Sequence, residues 1–438
     1  MPNPPAAGTS VANGLERPTH ARHWVVFFAI TLALICYTDR VVIAQAATNI
    51  ESELGLTRIQ MGWVFFIFSW AYTMFEIPGG WMGDRWGARV VLLRVVGLWS
   101  FFTAATGWAW SYVSMLACRF LFGVGEAGCF PNLSKMFSIW LPSHERLRAQ
   151  GLMWFAARWG GAVTPFLVAL LLQQVSWRRA FELFGLLGVV WGVFFFFWFR
   201  DHPRDHPGVN AAELALIPQQ APRHAHEATP WRAIFTNRSV LLLMLQYFLL
   251  SYGWWFYIQW LPTYLKEARG FALAKDQLKG AILAGLPLFL GGVGCWIGGF
   301  VEPRLSRLVS TVRARRLIGT VCMAATGCLI LLSIQLRDPV LAMIAMGLAG
   351  LTNDVVVTVS WGACMDLGRR YTGTVSGAMN MMGAGGGAVA GPAVAYLLHA
   401  SGNDWNLPLY VASVGYFGAM ACWFFIDPVS PVVREETR

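Results

Sequence analysis

Long apolar segments recur along the whole 438-residue chain, and they limit what it can fold into more than any other feature. Each segment is long enough to cross about 30 Å of hydrocarbon as an α-helix. Hydrophobic residues make up 56% of the sequence and charged residues 13%, about half of the usual charged share in soluble domains. A soluble protein of this length would need a more polar surface. The sequence therefore predicts an all-α polytopic membrane protein.

Twelve membrane-spanning helices are predicted, in two pseudo-symmetric halves of six. The spans are predicted at 24–47, 59–79, 90–109, 112–137, 149–172, 179–199, 237–259, 279–300, 315–335, 339–361, 372–398 and 406–426. The domain organisation that follows is a tail at 1–23, a first half at 24–199, a linker at 200–236, a second half at 237–427 and a tail at 428–438. The first 23 residues lack the pattern of a signal peptide.

The basic residues predict the orientation of these spans. With an even number of spans both termini lie on one side of the membrane, and most of the 33 Lys and Arg residues then fall on that same side. An excess of Lys and Arg marks the cytoplasmic side. We therefore expect cytoplasmic tails and linker in a monomeric, multi-pass protein of the cell's inner (plasma) membrane. This distribution explains the net charge of +10 without a nucleic-acid partner.

The two halves contain matching motifs. "GGWMGDRWGARVVL" at 79–92 follows the second span, and "GGFVEPRLSRL" at 298–308 follows the eighth. "GGAVTP" at 160–165 in the fifth span similarly matches "GGAVAGP" at 386–392 in the eleventh. Paired motifs in two helical halves are typical of transporters whose substrate site lies between the repeats, near the middle of the membrane.

Charged residues interrupt several of the predicted spans, among them Asp39, Arg40, Arg119, Glu126 and Arg158. A charge at mid-membrane costs about 2.5–3.5 kcal/mol on insertion scales, so it needs a partner, a cavity or a function. Asp39 and Arg40 are about 100° apart on a helix and line adjacent walls, whereas Arg119 and Glu126 return to nearly the same face. A water-filled site and a structural network of salt bridges would both account for Arg40 and Arg119.

The stretch at 79–92 resembles the loop signature of the major facilitator superfamily. The pattern G-x-x-x-D-R-x-G-x-R is carried here by Gly80, Asp84, Arg85, Gly87 and Arg89. The resemblance implies the fold of that superfamily and structural or gating roles for these five residues. It assigns the same kind of role to Arg119.

Four other stretches narrow the resemblance to the anion:cation symporter family. They are "YTDR", "RFLFGVGEAGCFPN" at 119–132, "WRRAFELFGLLG" at 177–188 and "SGAMNMMGAGGG" at 376–387. The family includes bacterial permeases for sugar acids (galactonate, glucarate, hexuronates) and for phthalate, and the animal sialin and vesicular glutamate carriers. The likeness runs from Trp24 to Pro428. It implies proton-driven symport of a small organic anion, with a sugar acid as the leading candidate, by alternating access.

The resemblance also implies roles for residues inside the spans. Asp39 and Glu126 are the expected proton-coupling pair, since desolvation favours the neutral form of a carboxyl group. Arg40 is the expected anchor for the carboxylate of the substrate, because a guanidinium group binds such an anion through two parallel hydrogen bonds. Arg158 is a further substrate-binding candidate.

Hydroxyl groups of a sugar acid need polar partners, and five candidates are Tyr37, Tyr72, Ser360, Trp361 and Asn380. The family pattern favours Tyr37, Tyr72 and Asn380. Ordinary aromatic packing would explain Tyr72 and Trp361 equally well. Asn380 could equally bond a neighbouring helix, because an amide group in a span requires a hydrogen-bond partner.

Two positions depart from the family pattern. Pro303 stands in the second-half loop where the family has Asp, with Glu302 one residue earlier as a substitute. Arg158 stands where many members have a small or polar residue, which suggests a distinct subset of substrates, such as those with a second carboxylate.

Two roles are equally possible for Asp354: it lines the wall of the substrate site, or it forms a hydrogen bond between helices. Glu76 is expected to pair with arginines of the cytoplasmic loops.

Other function classes fit the sequence less well. Sodium- or phosphate-coupled transport, or transport of an aromatic or dicarboxylic acid, are the alternatives within the transporter class. A membrane solute sensor is the alternative outside it. The spans contain no Ser/His/Asp, HExxH or clustered Cys/His set, so we expect neither an enzyme nor a cofactor or metal site. The expected partners are a small organic anion, protons and the lipid bilayer.

Overall fold

The computed structural model describes residues 17–217, 228–270 and 277–433, which are helical and contain no strand. The helices are α1 (Ala21–Leu54), α2 (Arg58–Trp86), α3 (Ala88–Gly107), α4 (Tyr112–Glu126), α5 (Cys129–Trp140), α6 (Ser143–Leu172), α7 (Trp177–Trp198), α8 (Ala211–Leu216), α9 (Trp231–Thr236), α10 (Arg238–Gln259), α11 (Leu261–Glu267), α12 (Gln277–Val309), α13 (Thr311–Gln335), α14 (Pro339–Gly368), α15 (Thr372–Ala400) and α16 (Asn406–Phe425).

Twelve crossings of membrane length are present in the described residues. Ten helical stretches are long and apolar enough to span a bilayer, and one of them, Pro339–Ala400, contains both α14 and α15. The twelfth crossing is α2, which has 29 residues. Another of the ten, Tyr112–Trp140, contains α4 and α5 in series. The predicted all-α polytopic fold class is confirmed.

The helices alternate in direction between two ends of the bundle. The start of α1 lies against α8, which belongs to the segment between the halves. We call this the linker end and the opposite end the far end. Helices α1, α3, α6, α10, α13 and α15 begin at the linker end, and α2, α4 with α5, α7, α12, α14 and α16 return to it. The two halves, α1–α7 and α10–α16, pack together mainly through α6 with α12 and α2 with α15.

The linker is partly folded rather than fully extended. It contains a short 3₁₀ turn, Pro203–Asp205, besides α8 and α9, and residues 218–227 lie outside the described ranges. His206 is buried against the rings of Trp140 and Trp198. Burial lowers the pKa of His206 and so favours its neutral form.

Glu213 of α8 ties the linker to the first half. Its buried carboxylate accepts hydrogen bonds from the Thr19 hydroxyl and from the backbone N–H groups of Ala21 (3.0 Å) and Arg22 (3.1 Å). Burial opposes ionisation of Glu213, but these hydrogen bonds outweigh it and hold its pKa below the usual value. The Arg22 guanidinium also reaches Glu145 at the start of α6, 2.9 Å away. The start of α1, α6 and the linker therefore form one unit.

The fourth crossing is broken beside Glu126. Helix α4 ends at Glu126 and α5 begins at Cys129, with Gly128 between them at φ 87°. A Cβ on Gly128 would lie 2.6 Å from the Cα of Gly79 in α2, so only glycine permits this close approach. The sequence predicted one continuous span at 112–137. Broken helices of this kind line the binding sites of many transporters.

Candidate functional site

An ion pair between Arg40 and Glu126 lies at the centre of the first half. Arg40 Nε is 2.6 Å from Glu126 Oε1, and Cys36 Sγ donates to the same oxygen at 2.7 Å. Glu126 is fully buried, and its Oε2 has no hydrogen-bond partner among the described residues. The Arg40 side chain is 20% exposed, and its Nη2 similarly lacks a partner there. Arg40 therefore has an unused donor beside the carboxylate that neutralises it.

Asp39 faces away from this pair, toward α3. The Trp99 indole N–H donates to Asp39 Oδ2, and the Thr103 hydroxyl lies 3.5 Å from the same oxygen. Asp39 is 1% exposed, and no basic group in the described ranges lies within ion-pair distance of it. As helix geometry predicted, Asp39 and Arg40 line different walls. A carboxyl group whose hydrogen-bond donors are neutral can accept a proton without breaking a salt bridge.

Arg119 is buried among aromatic rings rather than paired with a carboxylate. Its guanidinium carbon lies 4.2 Å from the centre of the Phe122 ring and 5.0 Å from that of Phe68. Its Nε and Nη1 have no hydrogen-bond partner within the part of the chain that is described. The rings stabilise the cation through cation–π contacts. A direct salt bridge, one of the sequence-based alternatives, is not formed by Arg119 in the described ranges.

Arg158 and Asp354 form a second buried ion pair, which joins the two halves. Arg158 Nε and Nη2 donate to the two oxygens of Asp354 at 2.8 and 3.1 Å, and Arg158 Nη1 donates to the Tyr37 hydroxyl at 3.1 Å. Arg158 belongs to α6 and Asp354 to α14. Sequence reasoning left the role of Asp354 open, since no spacing rule connects residues 196 positions apart.

Five of the predicted substrate-binding residues meet between the halves. Tyr37 is close to both arginines, with its ring centre 5.4 Å from the guanidinium carbon of Arg40 and 6.0 Å from that of Arg158. The Tyr72 ring centre lies 4.5 Å from the Arg40 carbon. The Asn380 side-chain amide donates to the Tyr72 hydroxyl at 2.9 Å, across the two halves. This group of two cations, two phenols and an amide has the chemistry to bind a small polar anion.

Ser360 and Trp361 use their polar atoms within the second half. The Ser360 hydroxyl accepts from Gln246 at 3.0 Å, and the Trp361 indole N–H donates to the Tyr247 hydroxyl at 2.9 Å. The Trp361 ring lies 5.4 Å from that of Trp154. Both predicted residues are fully buried. Trp361 and Trp154 thus form an aromatic contact on the linker side of Arg158. Contact of Ser360 or Trp361 with a substrate stays a prediction.

The expectation for Glu76 is wrong. Glu76 is fully buried beside Tyr72 and Asn380, and one of its oxygens lies 3.4 Å from the backbone N–H of Gly128. The predicted span ended at residue 79, which placed Glu76 near the loops, whereas α2 runs to Trp86. The seven extra residues shift Glu76 about two turns deeper into the bundle. Glu76 is therefore a carboxyl group of the central site that sequence reasoning missed.

Asp84 closes the linker end by capping a helix of the opposite half. Its carboxylate accepts from the backbone N–H groups of Gly373 (3.0 Å) and Thr374 (2.6 Å) and from the Thr374 hydroxyl (2.7 Å). Lys135 lies 3.2 Å from Asp84. A Cβ on Gly80 would lie 2.0 Å from the Gly373 carbonyl oxygen, so the backbones of α2 and α15 are in contact here. A carboxylate at a helix N-terminus is stabilised by the orphan N–H groups and the helix dipole.

Gly87 and Arg89 of this loop motif lie at the start of α3, close to the end of α7. Gly87 has φ 91°, which favours glycine, and turns the chain between α2 and α3. The backbone N–H of Arg89 donates to Asp201 at 2.9 Å, and its guanidinium donates to the Phe196 carbonyl at 2.6 Å. Arg85 is exposed at the linker end. Gly87 and Arg89 thus fix the start of α3 against the end of α7.

Glu302 does not reproduce the role of Asp84 in the second half. It pairs with Arg315 at 2.9 Å, and Arg315 pairs with Asp366 at 2.7 Å. The contact with the first half is made instead by Asp366, which lies 3.8 Å from Arg146. The missing Asp at Pro303 therefore leaves the second loop without a helix cap across the halves.

All the direct polar contacts between the halves lie at the centre or at the linker end of the described structure. Those at the linker end are formed by Asp84, Lys135 and Asp366, and those at the centre by Arg158 and Asn380. In the described ranges, no hydrogen bond or ion pair joins the two halves near the far end. At the ends of the bundle, polar contacts thus hold the halves together only on the linker side.

We expect Asp84→Ala to loosen this closure. The substitution removes the acceptor of two backbone N–H groups at the start of α15 and leaves Lys135 without this carboxylate. Losing a helix cap costs about 0.5–2 kcal/mol. Amide hydrogen exchange measured by mass spectrometry should therefore speed up by about 2- to 30-fold in the first turn of α15.

Asp338→Ala is the matched control for this experiment. Asp338 caps α14 at the far end through the N–H groups of Val340 and Leu341. Its removal should accelerate exchange at the start of α14 and leave the start of α15 unchanged. Unaltered exchange at Gly373 and Thr374 in Asp84→Ala would contradict a closing role for the carboxylate.

The comparisons with known proteins agree with this architecture. The sequence model of the family described as Major Facilitator Superfamily matches residues 29–391. The "Probable sulfoacetate transporter SauU" of Cupriavidus necator is 35% identical and covers 97% of this chain and 98% of that protein. The "D-galactonate transporter" of Escherichia coli O6:H1 is 29% identical over 95% of this chain and 98% of its own length. The "Probable galactarate/D-glucarate transporter GudP" of Escherichia coli K12 is 26% identical, with 98% of both chains covered.

Proposed function

The chain belongs to the Major Facilitator Superfamily, and from that premise we propose that it is a proton-coupled symporter for a small organic anion. The relatives that it resembles are named as transporters of sulfoacetate and of sugar acids. The proposed substrate is therefore a short organic acid of the sugar-acid or sulfoacetate type. In this proposal the protein lies in the inner membrane with its linker end facing the cytoplasm, and it acts as a monomer.

The Arg40–Glu126 pair is the observation that carries this proposal. Arg40 has a donor without a partner, Nη2, and lies between the halves beside Tyr37 and Tyr72. An acid group of the substrate would bind this guanidinium through charge-assisted hydrogen bonds. Asn380 from the second half, which bonds Tyr72, would contribute a hydrogen bond to a substrate hydroxyl. An anion bound here contacts both halves, so it can influence their relative position.

Proton coupling follows from competition for Arg40. Glu126 Oε1 lies 2.6 Å from Arg40 Nε and so neutralises the guanidinium group. Protonation of Glu126 removes that competing charge and allows Arg40 to bind the substrate anion. Asp39, which has hydrogen-bond donors but no basic partner within the described ranges, would take up the second proton. Coupling requires that the two access states differ in their affinity for substrate and protons.

The conformation observed corresponds to the outward-facing side of the cycle in this proposal. At the linker end, the two halves are held together by contacts of Asp84, Lys135 and Asp366. Return to the inward-facing state requires these contacts to break and new contacts to form at the far end. Substrate and protons would then leave together into the cytoplasm.

The proposed function is tested in proteoliposomes that enclose a pH-sensitive dye. With an inward proton gradient, addition of sulfoacetate or galactonate should acidify the interior and drive accumulation of the same substrate. Protein-free liposomes, and proteoliposomes with a sodium gradient and equal pH on both sides, are the controls. Uptake that follows the sodium gradient alone would refute proton coupling. Binding without any transmembrane flux would favour a solute sensor instead.

A further inference from the structure

The carboxylate of Asp354 accepts two hydrogen bonds from Arg158, as an anionic group of a substrate would. Its two oxygens lie 2.8 and 3.1 Å from Arg158 Nε and Nη2. The guanidinium also lies over the Trp254 ring, 4.0 Å from its centre. This two-point geometry between a guanidinium and a carboxylate is the one by which Arg recognises anions in general.

Stability alone does not explain this buried pair. Replacing a buried ion pair by neutral groups of similar volume is often neutral or stabilising, whereas removing one member leaves an uncompensated charge. Arg158 and Asp354 are both nearly inaccessible to solvent. Arg158 therefore stays neutralised only if another anionic group takes the place of Asp354. A displaced Asp354 keeps one donor, the Asn353 side-chain amide, at 2.9 Å.

The spacing of the two arginines restricts the length of such a ligand. Their guanidinium carbons lie 5.4 and 6.0 Å from the centre of the same Tyr37 ring, so their separation is at most the sum of these distances. A two-carbon acid with an anionic group at each end, held by both, needs about 10–11 Å between those carbons. An extended six-carbon diacid needs about 14 Å. This upper limit on the separation allows the shorter ligand and excludes the longer one.

We propose that Asp354 is a resident substitute for a second anionic group of the substrate, displaced from Arg158 when a short dianion binds across Arg40 and Arg158. A monoanion on Arg40 leaves the Arg158–Asp354 pair intact. The pair thus selects substrates by their number of charges. This inference rests on the proposed function, because it assigns the second acid group of the transported anion to the same site.

The test uses the full-length protein and two probes of nearly equal shape. Sulfoacetate has two anionic groups, and sulfoacetamide replaces its carboxylate by a neutral amide. Wild-type protein should bind sulfoacetate at least about 10-fold more tightly than sulfoacetamide, because hydrogen bonds to charged groups are the stronger ones. The double variant Arg158→Gln/Asp354→Asn removes the pair without leaving a buried charge. It should bind the two probes with affinities within about 3-fold, by titration calorimetry in detergent.

A single variant separates charge selection from a purely structural role. Asp354→Asn removes the competing carboxylate and keeps Arg158, so its affinity for sulfoacetate should rise by about 10-fold while that for sulfoacetamide stays constant. The matched control, Arg178→Gln/Glu53→Gln, removes a 2.8 Å ion pair at the far end of the first half. Its preference for sulfoacetate should equal that of the wild type.

Each remaining outcome bears on one of the two proposals. A double variant that keeps the wild-type preference overturns the role of Asp354. Equal loss of affinity for both probes in Asp354→Asn does the same, since it indicates a structural role. Wild-type protein that transports galactonate but does not bind sulfoacetate refutes the dianion site and leaves the proposed function intact. Wild-type protein that transports neither contradicts the proposed function itself.

Discussion

Replacing Arg40 with glutamine is expected to weaken binding of the transported anion more than any other single substitution in the central site. Arg40 has a donor without a partner at the centre of the site, and its guanidinium lies 4.5 Å from the Tyr72 ring centre. Truncating one member of a buried, hydrogen-bonded charge pair costs about 2–5 kcal/mol. The affinity for sulfoacetate or galactonate should fall by at least about 30-fold, as measured by titration calorimetry or by substrate exchange in proteoliposomes.

Two further variants show whether the loss is specific to the guanidinium of Arg40. Arg40→Lys keeps the positive charge and removes the planar fork, so it should bind more weakly than wild type and more tightly than Arg40→Gln. Arg94→Gln removes an arginine of α3 that bonds Met82 and Val124 outside the site. It should bind as wild type does. Wild-type affinity in Arg40→Gln would instead make Arg40 a structural partner of Glu126.

Glu126→Gln is expected to eliminate accumulation against a gradient while exchange of substrate across the membrane continues. The glutamine keeps a hydrogen-bonding side chain near Arg40 but can neither hold nor release a proton. Substrate can then bind Arg40 in both access states, without a competing charge. In proteoliposomes, counterflow should remain and should not respond to an imposed proton gradient, and uphill uptake should fall to the level of protein-free liposomes.

Asp39→Asn tests the second proposed proton site in the same assay. Its asparagine can keep the hydrogen bond from Trp99, so we expect loss of uphill uptake without loss of folding. Glu182→Gln is the control, because Glu182 is an exposed carboxylate near the far end of α7 that accepts from Trp108 at 2.8 Å. Normal uphill accumulation in both Glu126→Gln and Asp39→Asn would rule out the proton assignment.

The sequence identified most of the central residues but not their partners. The family pattern predicted Tyr37, Tyr72 and Asn380, whereas Arg40 was predicted from the chemistry of its guanidinium group. Arg158 was predicted as a charge that departs from that pattern, and the structure brings all five together. A motif reports which residue types occur along one segment of chain. It does not report which distant helix faces that segment.

Two further features of the centre have no signal in local sequence patterns. The break in the fourth crossing arises where Gly128 meets Gly79 of α2, and glycines in apolar spans have several other uses. The depth of Glu76 depends on how far α2 continues beyond the apolar run, to Trp86. That extension is helical because its end packs against α15 and the linker end of the second half, not because its residues are apolar.

The sequence by itself determined the number of crossings, their grouping in two halves and the presence of charges at mid-membrane. These follow from local physics: apolar length, the cost of an ionised group in hydrocarbon and the repeat of a motif. Tertiary structure alone decided that Arg40 pairs with Glu126, that Asp39 bonds Trp99 and that Arg158 binds Asp354. A buried charge must find a partner, but helix packing decides which of several distant groups comes within reach.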